Sequence, residues 1–596
     1  MGSIQLIRKK TISFALDNGL QLFAHLRTLS TSQKLLLGVA VAYLLVGTIF
    51  LLVPVRMGHW FGLLQLMPEG VTDIRAFYGG MTIGLGLLLY KLADNPLTII
   101  PGLWLIIAFA GGSAAGRVFG MLADGSFGLL HCSLLIGEIA CVYFALTAIK
   151  REKYLTEKNK PVKNPTRVED FRPLSFENLE NPYPFYKAMR EQAPVYKIPG
   201  ADYYAISRHE DIREVALNTD DFSSNLVAIL LGDNTGNTVT TIDRPDVEMG
   251  PVDVLAIQDP PRHGTQRRIS LNALSLRFVR GLEDSVRGMA NEIMDRFIDR
   301  GECDWVQEFA KEIPMIISLQ LTGCPATDWR MVKTWSDRAI ALLSGVNTPE
   351  DFAQNTQAGM DFINYVNKHY QRQKAQPEDN FTGALIEAVA DPENPLTEEE
   401  AISMVFQVLI AGADSSANTI GNSVKMLAEN PHIQLELRNN PERIANFIEE
   451  VLRLESPFQG HFRQTKKDLS VAGTFLPKGS RVMLLWASGN RDAAIYENPE
   501  KIDLDRSNLK AHLAFGRGIH QCLGAQLARL EVRVALEELL RRTELIVLGQ
   551  QQKIDHKPSV FIRELNSLPI KFVPAKIKAS PKSTADEKEQ VVESAY

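Results

Sequence analysis

Residues 511–531 read AHLAFGRGIHQCLGAQLARLE. Three glycines, Gly516, Gly518 and Gly524, flank a single cysteine, Cys522, and an amphipathic run from Leu523 to Arg542 follows at once. The pattern predicts a tight loop that feeds a helix, with the sulfur at the helix start. Glycine admits positive φ and lets backbone approach a flat ligand closely. A helix N-terminus offers free N–H groups and partial positive charge. Both favour a thiolate, and the thiolate is the form of cysteine that binds metal. Taken alone, a small buried cysteine beside a glycine-rich turn is ordinary packing.

The surrounding spacing changes that reading. Phe515-Gly516-x-Gly518-x-His520-x-Cys522-x-Gly524 resembles the haem-binding loop of the cytochrome P450 monooxygenases, with every specified position in order. The resemblance implies that Cys522 is the axial thiolate of a haem b (iron protoporphyrin IX), in a loop shaped by Phe515, Gly516, Gly518 and Gly524. It also implies pieces elsewhere. Glu450-Val451-Leu452-Arg453 is a Glu-x-x-Arg upstream of the loop, in the family's order. Residues three apart on a helix share a face and pair, so Glu450 and Arg453 are expected as a structural pair. Their helix is read as starting at Asn440-Pro441, an N-cap followed by proline.

Residues 396–430 carry a long helix pattern, with a capping box Thr397-x-x-Glu400 and a stop at Asn430-Pro431. Its middle is Ala411-Gly412-Ala413-Asp414-Ser415-Ser416. A glycine, an acid and two hydroxyls are costly inside an apolar helix. By themselves they predict a polar kink. By the resemblance they form the oxygen-binding groove, with Asp414 and Ser415 as the catalytic acid–alcohol pair beside the iron. The family's usual threonine is Ser415 here, which keeps the hydroxyl and loses the methyl that would fix it.

A haem carries two propionates, so cations should converge on it. Asp259-Pro260-Pro261-Arg262-His263-Gly264-Thr265-Gln266-Arg267-Arg268 resembles the family helix that supplies them. His263 and Arg267 share a face, and Arg463 and His520 complete the implied set. Arginine suits carboxylates because its fork donates two bonds.

A chain of 596 residues predicts several domains. A net charge of −6 gives no reason to expect nucleic acid as a partner. The five cysteines, Cys132, Cys141, Cys303, Cys324 and Cys522, show no zinc, disulfide or iron–sulfur spacing. No flavin or dinucleotide motif is present. The resemblance therefore implies an external electron donor, a ferredoxin with its reductase.

Residues 1–33 form a basic, amphipathic segment, with Arg8, Lys9 and Lys10 and an interfacial helix expected over 11–28. They lack a signal-peptide pattern. Four apolar runs follow, near 34–54, 74–93, 98–121 and 128–149, each close to the ~20 residues that cross a bilayer core. Tyr78-Gly79-Gly80 and Gly111-Gly112-Ser113 predict close helix approach. Arg117 and Glu138 fall within or near spans three and four, as a functional pair, a structural pair or interfacial charges. Arg27 and Lys34 precede the first span, and Lys150, Arg151 and Lys153 follow the fourth. Both ends of an even-numbered bundle are thus expected on the cytoplasmic side.

The resulting division is a basic segment over 1–33, a transmembrane domain over 34–150, a linker over 151–172, a haem domain over 173–575 and a disordered tail over 576–596. The fold class is mainly α with small β-sheets, the cytochrome P450 fold, preceded by an all-α transmembrane four-helix bundle. The function implied is insertion of one oxygen atom of O₂ into a lipophilic substrate. Two alternatives stand beside it: a haem-thiolate enzyme that uses peroxide or rearranges an oxygenated substrate, and a non-catalytic membrane haem sensor. Pocket walls are expected from 225–258, 335–370, 406–413 and 456–462. The bundle is read either as a plain anchor or as a means of delivering a lipophilic substrate.

Overall fold

The four apolar runs near the N-terminus form helices long and apolar enough to cross a membrane: Thr31–Leu52, Val71–Ala93, Ile99–Asp124 and Leu129–Arg151. This is a computed structural model, and it describes residues 31–60, 68–93, 98–125, 128–158, 166–225, 228–232, 239–243, 252–274, 276–393, 395–549 and 555–575. The expected interfacial helix over 11–28 and the tail over 576–596 lie outside the described residues. The chain divides after Lys160 into two units.

In the first unit, α1 (Thr31–Leu52), α2 (Met81–Ala93), α3 (Ile99–Asp124) and α4 (Leu129–Lys158) pack around Leu36, Ala40, Leu89 and Leu103. Leu45, Phe119 and Ile136 face outward and are exposed. Glycine sets the closest approach. A Cβ on Gly47 would stand 2.8 Å from the Gly79 carbonyl, and one on Gly86 would stand 2.8 Å from Leu44. At Gly111-Gly112 the approach is looser than expected: a Cβ on Gly111 would meet Val142 of α4 at 3.8 Å, an ordinary contact, and one on Gly112 would meet nothing within 4 Å. A polar lock joins α3 to α4 there instead. Arg117 grips Glu138 through two bonds of 2.8 and 3.1 Å, and Ser113 Oγ donates to the same carboxylate at 2.6 Å. Helix α4 continues to Lys158, so it takes up the first eight residues of the stretch read as linker.

The second unit holds a five-stranded sheet of β1 (Val195–Lys197), β2 (Tyr203–Ile206), β3 (Phe222–Ser223), β4 (His461–Thr465) and β5 (Arg481–Leu484), in the order β1-β2-β5-β4-β3. β5 runs parallel to β2 and antiparallel to β4, with Val482 opposite Arg463. Phe222-Ser223 is the edge strand, paired with Gln464 and Thr465. Helices carry the rest, among them α5 (Arg262–Ala273), α6 (Glu312–Thr322), α7 (Trp329–Ala341), α8 (Glu398–Glu429), α9 (Ile444–Leu454) and α10 (Ala525–Arg542).

Helix α8 is the spine. Its Met404, Val405, Leu409 and Ala413 enter one apolar core, and its Ile420, Val424 and Leu427 enter another. A helix buried on all sides needs apolar residues on all sides. The capping box forms as its sequence predicts: Thr397 Oγ1 accepts from Glu400 N at 3.1 Å, and Glu400 accepts from Thr397 N at 2.8 Å. The helix runs unbroken through Asp414-Ser415-Ser416 because the polar groups find partners, Ser415 donating to the Ala411 carbonyl at 3.0 Å. Helix α9 starts later than its sequence suggests. Asn440 spends its amide on the Glu436 carbonyl of the preceding helix, and Pro441–Arg443 form a 3-10 turn before Ile444.

Two adjacent acids of α9 hold the chain around the cysteine loop. Glu450 and Arg453, both fully buried, meet through two bonds of 2.7 and 2.8 Å. Arg453 also donates to the carbonyls of Asn490, Pro499 and Lys501, and Glu450 accepts from Asp503 N and Arg506. Glu449 faces the loop itself, accepting from Arg529 at 2.6 and 2.8 Å and lying 2.9 Å from His512 Nε2. Burial would raise the Glu449 carboxyl, but bonds from Arg529 and His512 outweigh it and hold it down at about 2.

Removing one member of a buried ion pair strands a charge and costs about 3–5 kcal/mol. Arg453→Met is therefore expected to lose about that much stability in denaturant unfolding. The double variant Glu450→Gln/Arg453→Met should lose less than the sum of the two single changes, because neither charge is then stranded. Strict additivity would show that the two groups act independently. Glu449 sets a pH dependence. Its folded pKa lies below its unfolded value of 4.5, so its contribution is present above that pH and is lost as pH falls toward 2. The shift corresponds to about 3 kcal/mol. Glu449→Gln should flatten the fall in stability between pH 5 and 3; an unchanged slope would contradict the assignment.

Candidate active site

The loop before α10 takes its shape from two glycines in the left-handed region, Gly516 at φ +67° and Gly518 at φ +79°. A Cβ on Gly518 would lie 2.8 Å from the Ala216 carbonyl, so the loop seats against the end of the helix His209–Leu217 only with glycine there. Gly516 N bonds to the Leu513 carbonyl at 2.8 Å, and Cys522 N bonds to the Phe515 carbonyl at 2.9 Å. The Arg529 guanidinium lies 4.5 Å from the centre of the Phe515 ring. Cys522 stands three residues ahead of α10, whose N-cap is Gly524.

The sulfur faces an open cavity. Burial by the surrounding protein pushes the Cys522 thiol up, opposed by the Gly524 N–H, Arg267 and Arg529. The protein alone therefore keeps the proton on sulfur, and a bound metal cation is the element that would draw it off. The other cysteines do not line this cavity. Cys303 and Cys324 sit in apolar cores, and Cys132 and Cys141 belong to the first unit.

The cavity walls are mostly apolar: Leu255 and Leu274, Leu321 of α6, Val408 and Ala411 of α8, Leu452, Pro457 and Phe458. Three of the four expected wall segments contribute. Residues 335–370 do not, because Phe362, Val366 and Tyr370 bury themselves in the core beside α8. Ser318 and Leu321 of α6 take that place, unforeseen from sequence.

Four basic side chains converge on the same cavity: His263, Arg267, Arg463 and His520. The His263 and His520 rings are 4.3 Å apart. Both ring nitrogens of His520 are buried without a hydrogen-bond partner. Burial pushes His520 down to about 3, with Arg463 and His263 adding repulsion. Arg463 is nearly fully buried, donates to the Phe462 carbonyl at 2.7 Å, and has no carboxylate within ion-pair distance among the described residues. Burial lowers it to about 10. Burial also lowers His263 and Arg267. Buried cations without partners are expensive. A flat ligand bearing two carboxylates would satisfy this cluster, so the donor set fits a haem with its propionates.

Helix α5 delivers His263 and Arg267 because the capping acid of α8 holds it. Glu400 pairs with Arg262 and accepts from Gln266 at 3.0 Å, while Gln266 accepts from Leu255 N at 2.8 Å. One carboxylate thus caps the spine and orients the helix of the anion cradle.

The acid and alcohol of α8 part company. Ser415 lines the cavity. Asp414 does not; it is buried against α7, where Lys333 Nζ lies 2.5 Å from Oδ1 and Ser336 Oγ donates to Oδ2 at 2.8 Å. Burial pushes Asp414 up to about 6, against the pull of Lys333. Lys333 also contacts Asp337, and Lys557 lies 3.8 Å from Asp337 and 2.6 Å from Glu564. The pair expected side by side at the oxygen site is therefore one hydroxyl in the cavity with one acid behind it. Gly518, Glu450 and Arg453 stand outside the cavity and act on the loop and its support. Sequence reasoning missed Lys333, whose partner lies 81 residues away, and it missed Trp486 in the wall; His461 falls within the expected wall segment 456–462 but was not singled out. For His461 a signal existed, because it is two residues from Arg463 on one strand and shares its face.

Residues 341–572 match the sequence profile of the family described as Cytochrome P450. The chain is 34% identical over 392 residues to Cytochrome P450 144 of Mycobacterium tuberculosis, covering 66% of this chain and 89% of that one. It is 30% identical over 400 residues to Vitamin D(3) 25-hydroxylase of Pseudonocardia autotrophica, covering 66% and 94%. Among solved structures it resembles CYP109E1 of Bacillus megaterium in complex with testosterone, at TM-score 0.59 and 28% identity, covering 67% of this chain and 99% of the other. These likenesses do not favour peroxide-driven, rearranging or purely sensory roles. The chain belongs to the cytochrome P450 family, as a monooxygenase that binds haem through a cysteine thiolate and takes its electrons from an external partner.

Proposed function

We propose that this enzyme inserts oxygen into a lipophilic substrate at a haem b held by Cys522, next to a membrane that its first unit spans. The observation that carries the site assignment is the meeting of one cavity-facing sulfur with four basic side chains that have no ion-pair partner among the described residues, on walls that are mostly apolar. Haem supplies the activation of O₂ and the oxygen transfer. Cys522 would bind its iron as a thiolate. His263, Arg267, Arg463 and His520 would receive the propionates, and Phe515, Gly516 and Gly524 would border the ring. Two named relatives point toward lipophilic molecules, one a vitamin D hydroxylase and one bound to testosterone.

Asp414 and Ser415 hold and pass protons in this reading. A carboxyl near 6 exchanges protons readily around neutral pH. Lys333 links it to Asp337, whose side chain is 27% exposed, so an ion chain leads from solvent to the back of α8. Ser415 reaches the cavity from the neighbouring position; its hydroxyl rests on the Ala411 carbonyl and would turn from it to serve as the outlet. The electron donor in this reading is a ferredoxin with its reductase.

The outward Leu, Phe and Ile of the first unit suit lipid rather than water, and the Arg117–Glu138–Ser113 lock leaves neither charge facing it alone. With Lys34 at the start of the first span, Lys150 and Arg151 at the end of the fourth and Lys153 just after it, both termini and the haem domain lie on the cytoplasmic side in this reading. A haem domain held there meets substrates already concentrated in the membrane.

Asp414→Asn is expected to slow turnover by about 100-fold, the usual size of a general-acid contribution. Ser415→Ala is expected to divert reducing equivalents to hydrogen peroxide. The measurement is product and peroxide formed per NAD(P)H consumed with a surrogate redox chain; wild-type rate and coupling in both variants would overturn the relay. Reporter tags at the two ends should both resist external labelling of intact cells, and one labelled terminus would overturn the four-span topology.

A further inference from the structure

His461 lines the cavity from the first position of β4 and takes no part in the cradle of basic groups described above. Its ring is fixed on several sides. Phe458 and Phe561 lie with ring centres 5.3 Å away, and Trp486 lies at 6.1 Å. Trp486 Nε1 donates to His461 Nδ1 at 2.7 Å. Indole nitrogen is a donor only, so Nδ1 must be the acceptor. The neutral imidazole then carries its proton on Nε2. Burial, reinforced by Arg463, pushes the ring down to about 3, so it stays neutral. Among the described residues Nε2 has no hydrogen-bond partner, and it is not among the sealed, unsatisfied atoms. The result is an uncharged N–H donor of fixed direction in an apolar wall.

The neighbouring hydroxyls of α8 do not compete. Ser415 gives its proton to the Ala411 carbonyl, and Thr419 gives its own to the Ser415 carbonyl at 2.8 Å. Both present acceptors to the cavity. His461 adjoins the anion cradle on one side, through Arg463 two residues along β4. His520 feels Arg463, His263 and Arg267 together, whereas Arg463 is the one charged group that acts on His461. A carboxylate would go to the cations, and an uncharged donor suits an uncharged acceptor.

We propose that His461 Nε2 donates a hydrogen bond to a neutral oxygen, a carbonyl or hydroxyl, on an otherwise apolar substrate, and so sets its orientation. This rests on the lipophilic-substrate reading above and adds to it one polar handle and its partner. A donor left unpaired by a substrate without that oxygen costs binding, so discrimination follows from the wall itself.

The test uses the full-length, haem-loaded protein in detergent micelles and straight-chain methyl ketones against alkanes of equal length, from eight to fourteen carbons. Binding is followed by the substrate-induced spin-state shift of the haem spectrum. The wild type should bind the best ketone about fivefold more tightly than its alkane, the value of one hydrogen bond. His461→Phe should erase that preference and leave alkane affinity within about twofold, and His461→Gln, which keeps an N–H donor, should retain part of it. A ketone preference that survives in His461→Phe overturns the proposal, as does a wild type without one. Haem transfer to apomyoglobin is measured alongside; loss several-fold faster in His461→Phe would give the proton to a propionate and overturn it too. If neither probe series shifts the spectrum, the lipophilic-substrate reading falls and this assignment with it. If ketones and alkanes bind equally, only the role of His461 falls.

Discussion

The buried pair of Glu450 and Arg453 is the interaction on which the second unit's active face depends. Two charges with no solvent access are tolerated only when all their hydrogen-bonding capacity is used. Here Arg453 reaches the carbonyls of Asn490, Pro499 and Lys501, and Glu450 takes Asp503 N and Arg506. The pair therefore nails an irregular stretch of seventeen residues, Asn490 to Arg506, against α9. That stretch leads directly into the cysteine loop. The next acid along, Glu449, turns to the loop itself and holds Arg529 and His512. Consecutive residues on one helix thus serve two neighbouring segments, since each step turns the side chain by about 100°.

The same helical geometry explains the oxygen side. Asp414 and Ser415 are adjacent in sequence, but a turn of about 100° sends one to α7 and the other to the cavity. The acid is thereby kept out of the apolar chamber, where an unpaired carboxylate would be costly, and given Lys333 and Ser336 as partners. Spine and cradle are coupled as well: Glu400 caps α8 and pairs with Arg262, so the start of the spine fixes the helix that carries His263 and Arg267.

What was legible in the sequence was local or spaced by fixed offsets. The glycine–cysteine loop, the Glu-x-x-Arg pair, the capping box at Thr397 and the four apolar runs depend on residues within a few positions, and the structure places them accordingly. What was not legible needed partners far away in sequence. Lys333 reaches Asp414 across 81 residues, Trp486 reaches His461 across 25, and Ser318 enters the wall from α6. Asn440 does stand at the N-cap position before Pro441, but of a 3-10 turn that leads into α9, and its side chain makes no capping bond. Residues 335–370 looked like pocket wall because they are apolar, yet apolar composition serves a core equally well, and Phe362 and Val366 went there. The glycines at 111 and 112 looked like a packing notch, where a hydrogen-bonded charge pair holds the helices instead.

The central claim is that Cys522 provides the sulfur on which the haem is built. The most direct measurement is the absorption spectrum of the reduced, carbon-monoxide-bound full-length protein, compared with Cys522→His and with Cys324→Ser. The account predicts the red-shifted Soret band of a thiolate-ligated haem in the wild type and in Cys324→Ser, and its replacement by an imidazole-type band in Cys522→His. A thiolate band that persists in Cys522→His would contradict it.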